Sequence, residues 1–156
     1  EEPMRVPMIV SAPDAAQPGR GDNAHLISNG LDIYATICDY AGVTAPPGTH
    51  GRSLRPLLEN VEGEETGDVD WRDHVVTETY WANHNCDGRA VRTERYKYVA
   101  YSWGAYREQL FDLLQDPGEM VNLAVASKHR NILQEHRDLL RDWCERTGDT
   151  FYGHHY

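Results

Sequence analysis

Four cations fall close together in one stretch of this chain: Arg89, Arg92, Arg95 and Lys97. They lie in or beside two aromatic, β-prone runs, so a tight hairpin would gather them on one sheet. A guanidinium grips sulfate or carboxylate oxygens in a two-pronged fork, which makes such a hairpin an anion-binding edge. A solvated sheet face accounts for the same charges. His84, with Asn83 and Asp87, sits in the loop just before the hairpin. Loops held on a sheet carry many substrate contacts, although polar residues of this kind also build plain turns. The candidate substrate-binding residues are therefore His84, Asp87, Arg89 and Arg92.

Other chemistry finds less support. The run from Asp112 to Glu119 holds three acidic residues, but a calcium loop needs oxygens at alternating positions, and Leu113 and Leu114 break that pattern. A structural turn at Asp116-Pro117-Gly118 fits better, with proline presetting its own φ and glycine accepting a positive one. The eight histidines contain no His-x-x-x-His pair, and His129 and His136 have no Cys or Glu triplet beside them to complete a metal site. Cys38 and Cys144 fall on apolar helix faces and read as core thiols, while Cys86 lies in a polar loop and reads as the exposed one. No Gly-x-Ser-x-Gly elbow, phosphate loop or dinucleotide fingerprint occurs.

The elements that must position these residues follow from the pattern of apolar positions. Arg5 to Val10 reads as a short buried strand, and Ser11 to Asn23 as a loop. A helix is expected from Asn29 to Ala41, capped by Ser28 or Asn29 and closed by Gly42. Its core stripe should be Leu31, Tyr34, Cys38 and Ala41, widened by Ile33 and Ile37, with Asp32, Thr36 and Asp39 on the remaining face. Ser53 should cap a short helix through Leu58, with Pro56 in its first turn. Residues 60–70 are acidic and glycine-containing and read as a linker. Strands are expected at His74–Tyr80, Arg89–Thr93, Tyr96–Tyr101 and Gln109–Leu113. A long amphipathic helix follows from Lys128 to Thr147, with Ser127 as its cap, Gly148 as its stop, and Ile132, Leu133, Leu139, Leu140, Trp143 and Cys144 as its stripe.

Composition bounds the partners. The formal net charge of -10 over 156 residues argues against nucleic acid, which demands a positive footprint. No apolar run approaches the roughly 20 residues that span a bilayer, and Glu1-Glu2-Pro3 does not open as a signal peptide does. With 40% hydrophobic and 26% charged residues the chain reads as globular.

The order of short motifs is more specific than any one of them. Arg5-Val6-Pro7-Met8-Ile9-Val10 comes first, then Ser28 to Gly42, then Gly51-Arg52-Ser53-Leu54-Arg55-Pro56-Leu57-Leu58. Arg92 to Tyr98, Gln109 to Leu113, and Asp116-Pro117-Gly118-Glu119 with Asn122-Leu123-Ala124 complete the series. This series resembles the carboxy-terminal region of the formylglycine-dependent sulfatases, of arylsulfatase type, in the alkaline-phosphatase superfamily. The resemblance implies an α+β chain. It would be a fragment of an alkaline-phosphatase-like α/β fold, with a small antiparallel sheet of about four strands packed by a long C-terminal helix. Residues 1–59 would hold the last strand and helices of the truncated large domain, and residues 71–156 the small subdomain.

The resemblance also implies a parent enzyme that hydrolyses a sulfate ester or sulfamate, using Ca²⁺ or Mg²⁺ and a formylglycine nucleophile, on a sulfated small molecule or glycan. It implies a periplasmic, secreted or lysosomal setting. The formylglycine precursor sits in Cys/Ser-x-Pro-x-Arg, and no cysteine or serine here has that context. Catalytic and metal residues are therefore expected upstream of Glu1, in a missing N-terminal catalytic region, with none carried over onto this chain. The chain would supply scaffold and a wall of the substrate pocket, be inactive alone, and self-associate through its uncovered strand and helix. A stand-alone binding module derived from a sulfatase tail, and a phosphatase- or phosphodiesterase-like relative, are the alternatives.

Overall fold

The computed structural model describes residues 4–11, 19, 21–59, 70–81 and 86–152. They divide into two compact units, Glu2–Arg72 and Asp73–Tyr156. Most of the expected linker lies outside the described residues, as does most of the loop after Ser11.

In the first unit, helix α1 spans Asn29–Tyr40 and the short α2 spans Arg55–Glu59. The face that α1 buries is the opposite of the one its apolar stripe suggests. Asp32, Ala35 and Thr36 are buried, with Asp32 at 0% exposure, while Leu31, Ile33, Tyr34 and Ile37 stand outward and Ile37 is 61% exposed. Hydrogen bonding holds the polar face inward. The Asp32 carboxylate accepts from both terminal nitrogens of Arg72 (2.5 and 2.6 Å), from Ser28 N–H (2.7 Å) and from Arg52 N–H (2.8 Å). A buried carboxylate is tolerated when its lone pairs are filled in this way. Thr36 Oγ1 donates to Asp32 O (2.6 Å) and accepts Leu54 N–H (2.9 Å).

Ser28 occupies the N-cap position without a side-chain bond to the helix. Its own N–H is what the helix satisfies, through Asp32. Gly51 sits so close to α1 that an added Cβ would lie 2.1 Å from Leu31 O, so only glycine lets the following segment run along the helix. The expected strand at Arg5–Val10 does not form. These residues belong to no sheet, and Ile9 is 94% exposed. A strand needs a neighbour for its backbone groups, and the described residues of this unit offer none.

The second unit is a four-stranded antiparallel meander: β1 His74–Trp81, β2 Cys86–Thr93, β3 Tyr96–Tyr101 and β4 Glu108–Asp112, in that spatial order. Val91 pairs with Tyr98, and Tyr98 with Leu110, so these three share the sheet face that packs on helix α3, Arg130–Thr147. Val91, Tyr98, Ala100 and Leu110 from the sheet meet Leu133, Leu140 and Cys144 from the helix, with Phe151 beyond it.

The helix begins later than its apolar pattern predicts. Leu123–Val125 and Ser127–His129 are single 3₁₀ turns, so Ser127 opens a turn and His129 stands at the N-cap with no side-chain bond. Gly148 closes α3 at φ 73°, as expected of a left-handed stop. The positive φ in the Asp116–Glu119 turn falls on Glu119 (55°), not on Gly118. Cys86 is half-buried at the start of β2, where an exposed loop thiol was expected, and Cys38 is half-buried on α1.

His136 is the polar exception on the buried side of α3, a position the apolar pattern does not reveal. Its Nε2 lies 3.2 Å from Thr93 Oγ1, its Nδ1 lies 2.8 Å from Ile132 O, and Tyr96 packs edge-on against its ring. Burial holds its pKa below the ordinary 6.5. The Ile132 carbonyl and Glu135 favour the charged form, and His74 opposes it.

Two outcomes are expected. Arg72→Met strands the Asp32 carboxylate and should cost about 3–5 kcal/mol. Hydrogen exchange of the Arg52 and Leu54 amides reads this directly, and unchanged protection would count against the clamp. The unfolded chain takes up a proton on His136 near pH 6.5, before the folded one does. Its stability contribution is thus complete above that pH and is lost as pH falls below it. The urea midpoint should drop between pH 7.5 and 5.5, and His136→Gln should flatten that drop.

Candidate functional site

The meander alternates its ends. The β1–β2 connection and the β3–β4 loop share one end of the sheet, and the turn at Glu94-Arg95 lies at the other. Asp87 stands at the first end, opposite Tyr80 in the register. Its N–H donates to Ser102 Oγ and its carbonyl accepts Ser102 N–H, both at 2.8 Å, so the start of β2 is fastened to the start of the β3–β4 loop there. His84 lies outside the described residues. Arg92 is near the far end of β2, with its guanidinium turned onto Thr93 O.

Arg89 pairs with Ala100 and Arg92 with Lys97, so the two arginines stand on opposite faces of the sheet. The hairpin cations thus form no single cluster. Each of three has a carboxylate of its own. Arg89 donates through Nε (3.1 Å) and Nη2 (2.8 Å) to Asp149 Oδ2, lies 3.7 Å from Glu78, and packs over the Phe151 ring at 5.0 Å. Arg95 binds both oxygens of Asp112, and Lys97, itself buried, pairs with Glu119. The Arg95 bond foremost, and the Gln115 and Leu114 amides after it, hold the Asp112 carboxyl below its usual range against the opposing effect of burial.

These pairs give the sequence motifs a physical role. The left-handed Glu119 presents a carboxylate to Lys97, and Asp116 Oδ2 accepts Val121 N–H (2.8 Å) to close the turn between them. Asn122 then behaves like a short extra strand. Its carbonyl accepts Leu110 N–H and Ala124 N–H (both 3.0 Å), and its amide donates to Glu108 O (3.1 Å). Glu108 in turn accepts from Tyr98 Oη (2.6 Å) and from two nitrogens of Arg137 (2.7 and 2.5 Å), and the Arg137 bond is the largest influence lowering its pKa.

A cleft of about 340 Å³ lies beside this network, lined by Glu108, Gln134, Arg137, Arg141 and Tyr152. Arg137 is held by Glu108 and Arg141 by Asp138 at 2.8 Å. Sequence reasoning missed Asp149, Glu108 and Arg137, because partners 60 and 29 positions apart leave no local pattern.

Nucleophile and metal chemistry find no fitting residues among the described ones. Burial, reinforced by Asp149, pushes the Cys144 thiol up to about 11, which leaves almost no thiolate at neutral pH. Among the described residues no group of three His, Cys, Asp or Glu side chains is placed to hold a metal ion. A formylglycine centre with its divalent cation therefore does not fit the donors in this part of the chain. No helix among the described residues is long and apolar enough to cross a membrane.

Comparison with known proteins agrees with the fold. Fold and motifs together define a sulfatase C-terminal domain, of the alkaline-phosphatase-like class. Residues 1–146 match the family described as N-sulphoglucosamine sulphohydrolase, C-terminal, and the chain belongs to it. A Δ4,5-hexuronate-2-O-sulfatase of Bacteroides thetaiotaomicron is 35% identical over 155 residues, covering 97% of this chain and 31% of that protein. A solved 2-O GAG sulfatase superposes with a TM-score of 0.67 at 38% identity, over 79% of this chain and 26% of the other. A sulfatase solved in complex with D-glucosamine-2-N,6-O-disulfate gives a TM-score of 0.66 at 27% identity, over 76% of this chain and 24% of the other. The chain thus spans about a third or less of the length of these relatives.

Arg89 and Asp149 carry 12% and 11% side-chain exposure, so their pairing is a stability element that can be measured. A double-mutant cycle with Arg89→Gln and Asp149→Asn should show a coupling of about 1–2 kcal/mol in urea unfolding, within the range for contacting charged groups. Additive single effects would remove Arg89 from that role.

Proposed function

We propose that this chain is the carboxy-terminal part of a sulfate-ester or sulfamate hydrolase acting on a sulfated sugar. In this reading it supplies scaffold and one wall of the substrate pocket, and the catalytic centre belongs to the remaining two thirds of the enzyme. The observation that carries the reading is the coverage. Nearly the whole chain aligns with under a third of a sugar sulfatase, and Arg89, Arg95, Lys97 and Arg137 are each paired with a carboxylate of the chain itself.

The wall is the end of the sheet where Asp87 and the β3–β4 loop meet, with His84 as its neighbour in sequence. Arg89 serves this wall as a positioning residue, holding β2 to the segment after α3. Arg92 lies at the other end of β2 and has no part in it. The outward face of α1, with the branched side chains of Leu31, Ile33 and Ile37, fits packing against the catalytic region of the same enzyme. Left uncovered, the same face would drive self-association. A divalent cation and a formylglycine are expected of the whole enzyme, and an exported or lysosomal setting goes with them.

The 156-residue chain should release no product from 4-nitrophenyl sulfate or from a sulfated disaccharide, with or without added Ca²⁺ or Mg²⁺. A longer reading frame carrying Cys/Ser-x-Pro-x-Arg ahead of this segment should turn the disaccharide over. Hydrolysis by the purified 156-residue chain would refute the proposal. A natural start codon adjoining Glu1 would favour a stand-alone binding module.

A further inference from the structure

Two exposed apolar surfaces in this molecule differ in chemistry. The outward face of α1 is rich in branched aliphatics, as surfaces that pack against protein are. The β3–β4 loop, Ser102-Trp103-Gly104-Ala105-Tyr106-Arg107, has two large rings and no branched aliphatic at all. Trp103 is 76% exposed and Tyr106 71%. Tyr80, near the end of β1 that faces the same connections, is also exposed.

This loop is anchored at both its ends. Ser102 is bonded twice to Asp87, Tyr101 N–H donates to Arg107 O (2.8 Å), and Arg107 Nε donates back to Tyr101 O (3.1 Å). Gly104, at φ 121°, takes a backbone shape closed to other residues and lets the loop turn between its two rings. The result is a short, braced loop that carries aromatic rings into solvent. Rings exposed at this level lose their apolar hydration only when a partner covers them.

A pyranose is such a partner. One of its faces is a patch of C–H bonds, which stacks on the electron-rich face of an aromatic ring, while its hydroxyls and sulfates stay in water. Trp and Tyr have only two side-chain torsions, so holding them for a ligand costs little entropy. The loop stands at the Asp87 end of the sheet, the end assigned above to the wall of a sugar pocket, so a pyranose is the partner within its reach.

We propose that Trp103 and Tyr106 form a stacking platform for a pyranose ring of a sulfated oligosaccharide, at the Asp87 end of the sheet. The sugar class rests on the function proposed above, and the platform extends that reading to two residues outside the hairpin cations. Stacking on a C–H face does not need the sulfate, so the platform is testable apart from the parent reaction.

The chain contains four tryptophans, and 5-fluorotryptophan labelling gives each its own ¹⁹F resonance, with W103F assigning Trp103. The probes are a sulfated heparin disaccharide, its desulfated counterpart and inorganic sulfate. Both disaccharides should shift the Trp103 resonance, and sulfate alone should not. Trp103→Ala and Tyr106→Ala should each weaken disaccharide binding at least tenfold, with W103F losing less. Circular dichroism should be unchanged, since both side chains are exposed. A Trp103 resonance unmoved by either disaccharide would overturn the platform, and so would binding that survives both alanine variants. A shift that depends on protein concentration instead of sugar would also overturn it, by making the loop a self-association surface. Each of these failures leaves the turnover test above untouched, and failure of that test leaves the response to desulfated sugar to be read on its own.

Discussion

A charge inside a small domain must be paired, and most of what is distinctive in this chain follows from that constraint. Asp32 is fully buried on a helix whose apolar side chains face outward. The polar face of this helix is held inward because Arg72 and two backbone amides satisfy the carboxylate there. An ion pair of this kind gives modest net stability compared with an apolar contact, but breaking it is costly, so it fixes orientation more than it deepens the fold. The same logic runs through the sheet unit. Lys97–Glu119, Arg95–Asp112, Arg89–Asp149 and Arg137–Glu108 each tie a strand to a turn, a helix or the segment after the helix.

The pairs also show where pattern reading works and where it stops. Strand β3 is legible to the residue, because Tyr96 to Tyr101 is a short aromatic, β-prone run between two turns, even though both its faces are buried. The long helix and its glycine stop are legible for the same local reason. The orientation of α1 is not. Its stripe of Leu31, Ile33, Tyr34 and Ile37 predicts a buried face, and no local rule reveals that Asp32 has a guanidinium waiting 40 positions away. Arg5–Val10 fails for a related reason. Its composition describes a strand, but a strand is a property of a pair, and a sequence pattern describes only one member.

The candidate site divides in the same way. Four cations close in sequence suggested one anion-binding edge. The pleat sends Arg89 and Arg92 to opposite faces, and distant carboxylates claim three of the four. Alternation by two could have separated the arginines in advance, since 89 and 92 differ in parity. The carboxylates could not have been found that way, because their pairing is set by how the last helix crosses the sheet. Exposed aromatics gave no signal either. Trp103 and Tyr106 read equally well as core residues until the β3–β4 loop is seen to stand clear of both layers.

Family likeness carries over unevenly for the same physical reason. The motifs that carry the resemblance, from Lys97 through Asp112, Asp116, Glu119 and Asn122, prove to be braces: a buried ion pair, a turn lock and a side chain that prolongs a strand. Residues of this kind specify how a chain folds and say nothing of what it binds. A protein can keep all of them while its loops, 102–107 among them, change. The signature therefore specifies fold, and ligand choice depends on residues it does not include. In the reading proposed above, the braces make this domain a sulfatase tail and the β3–β4 loop meets the sugar.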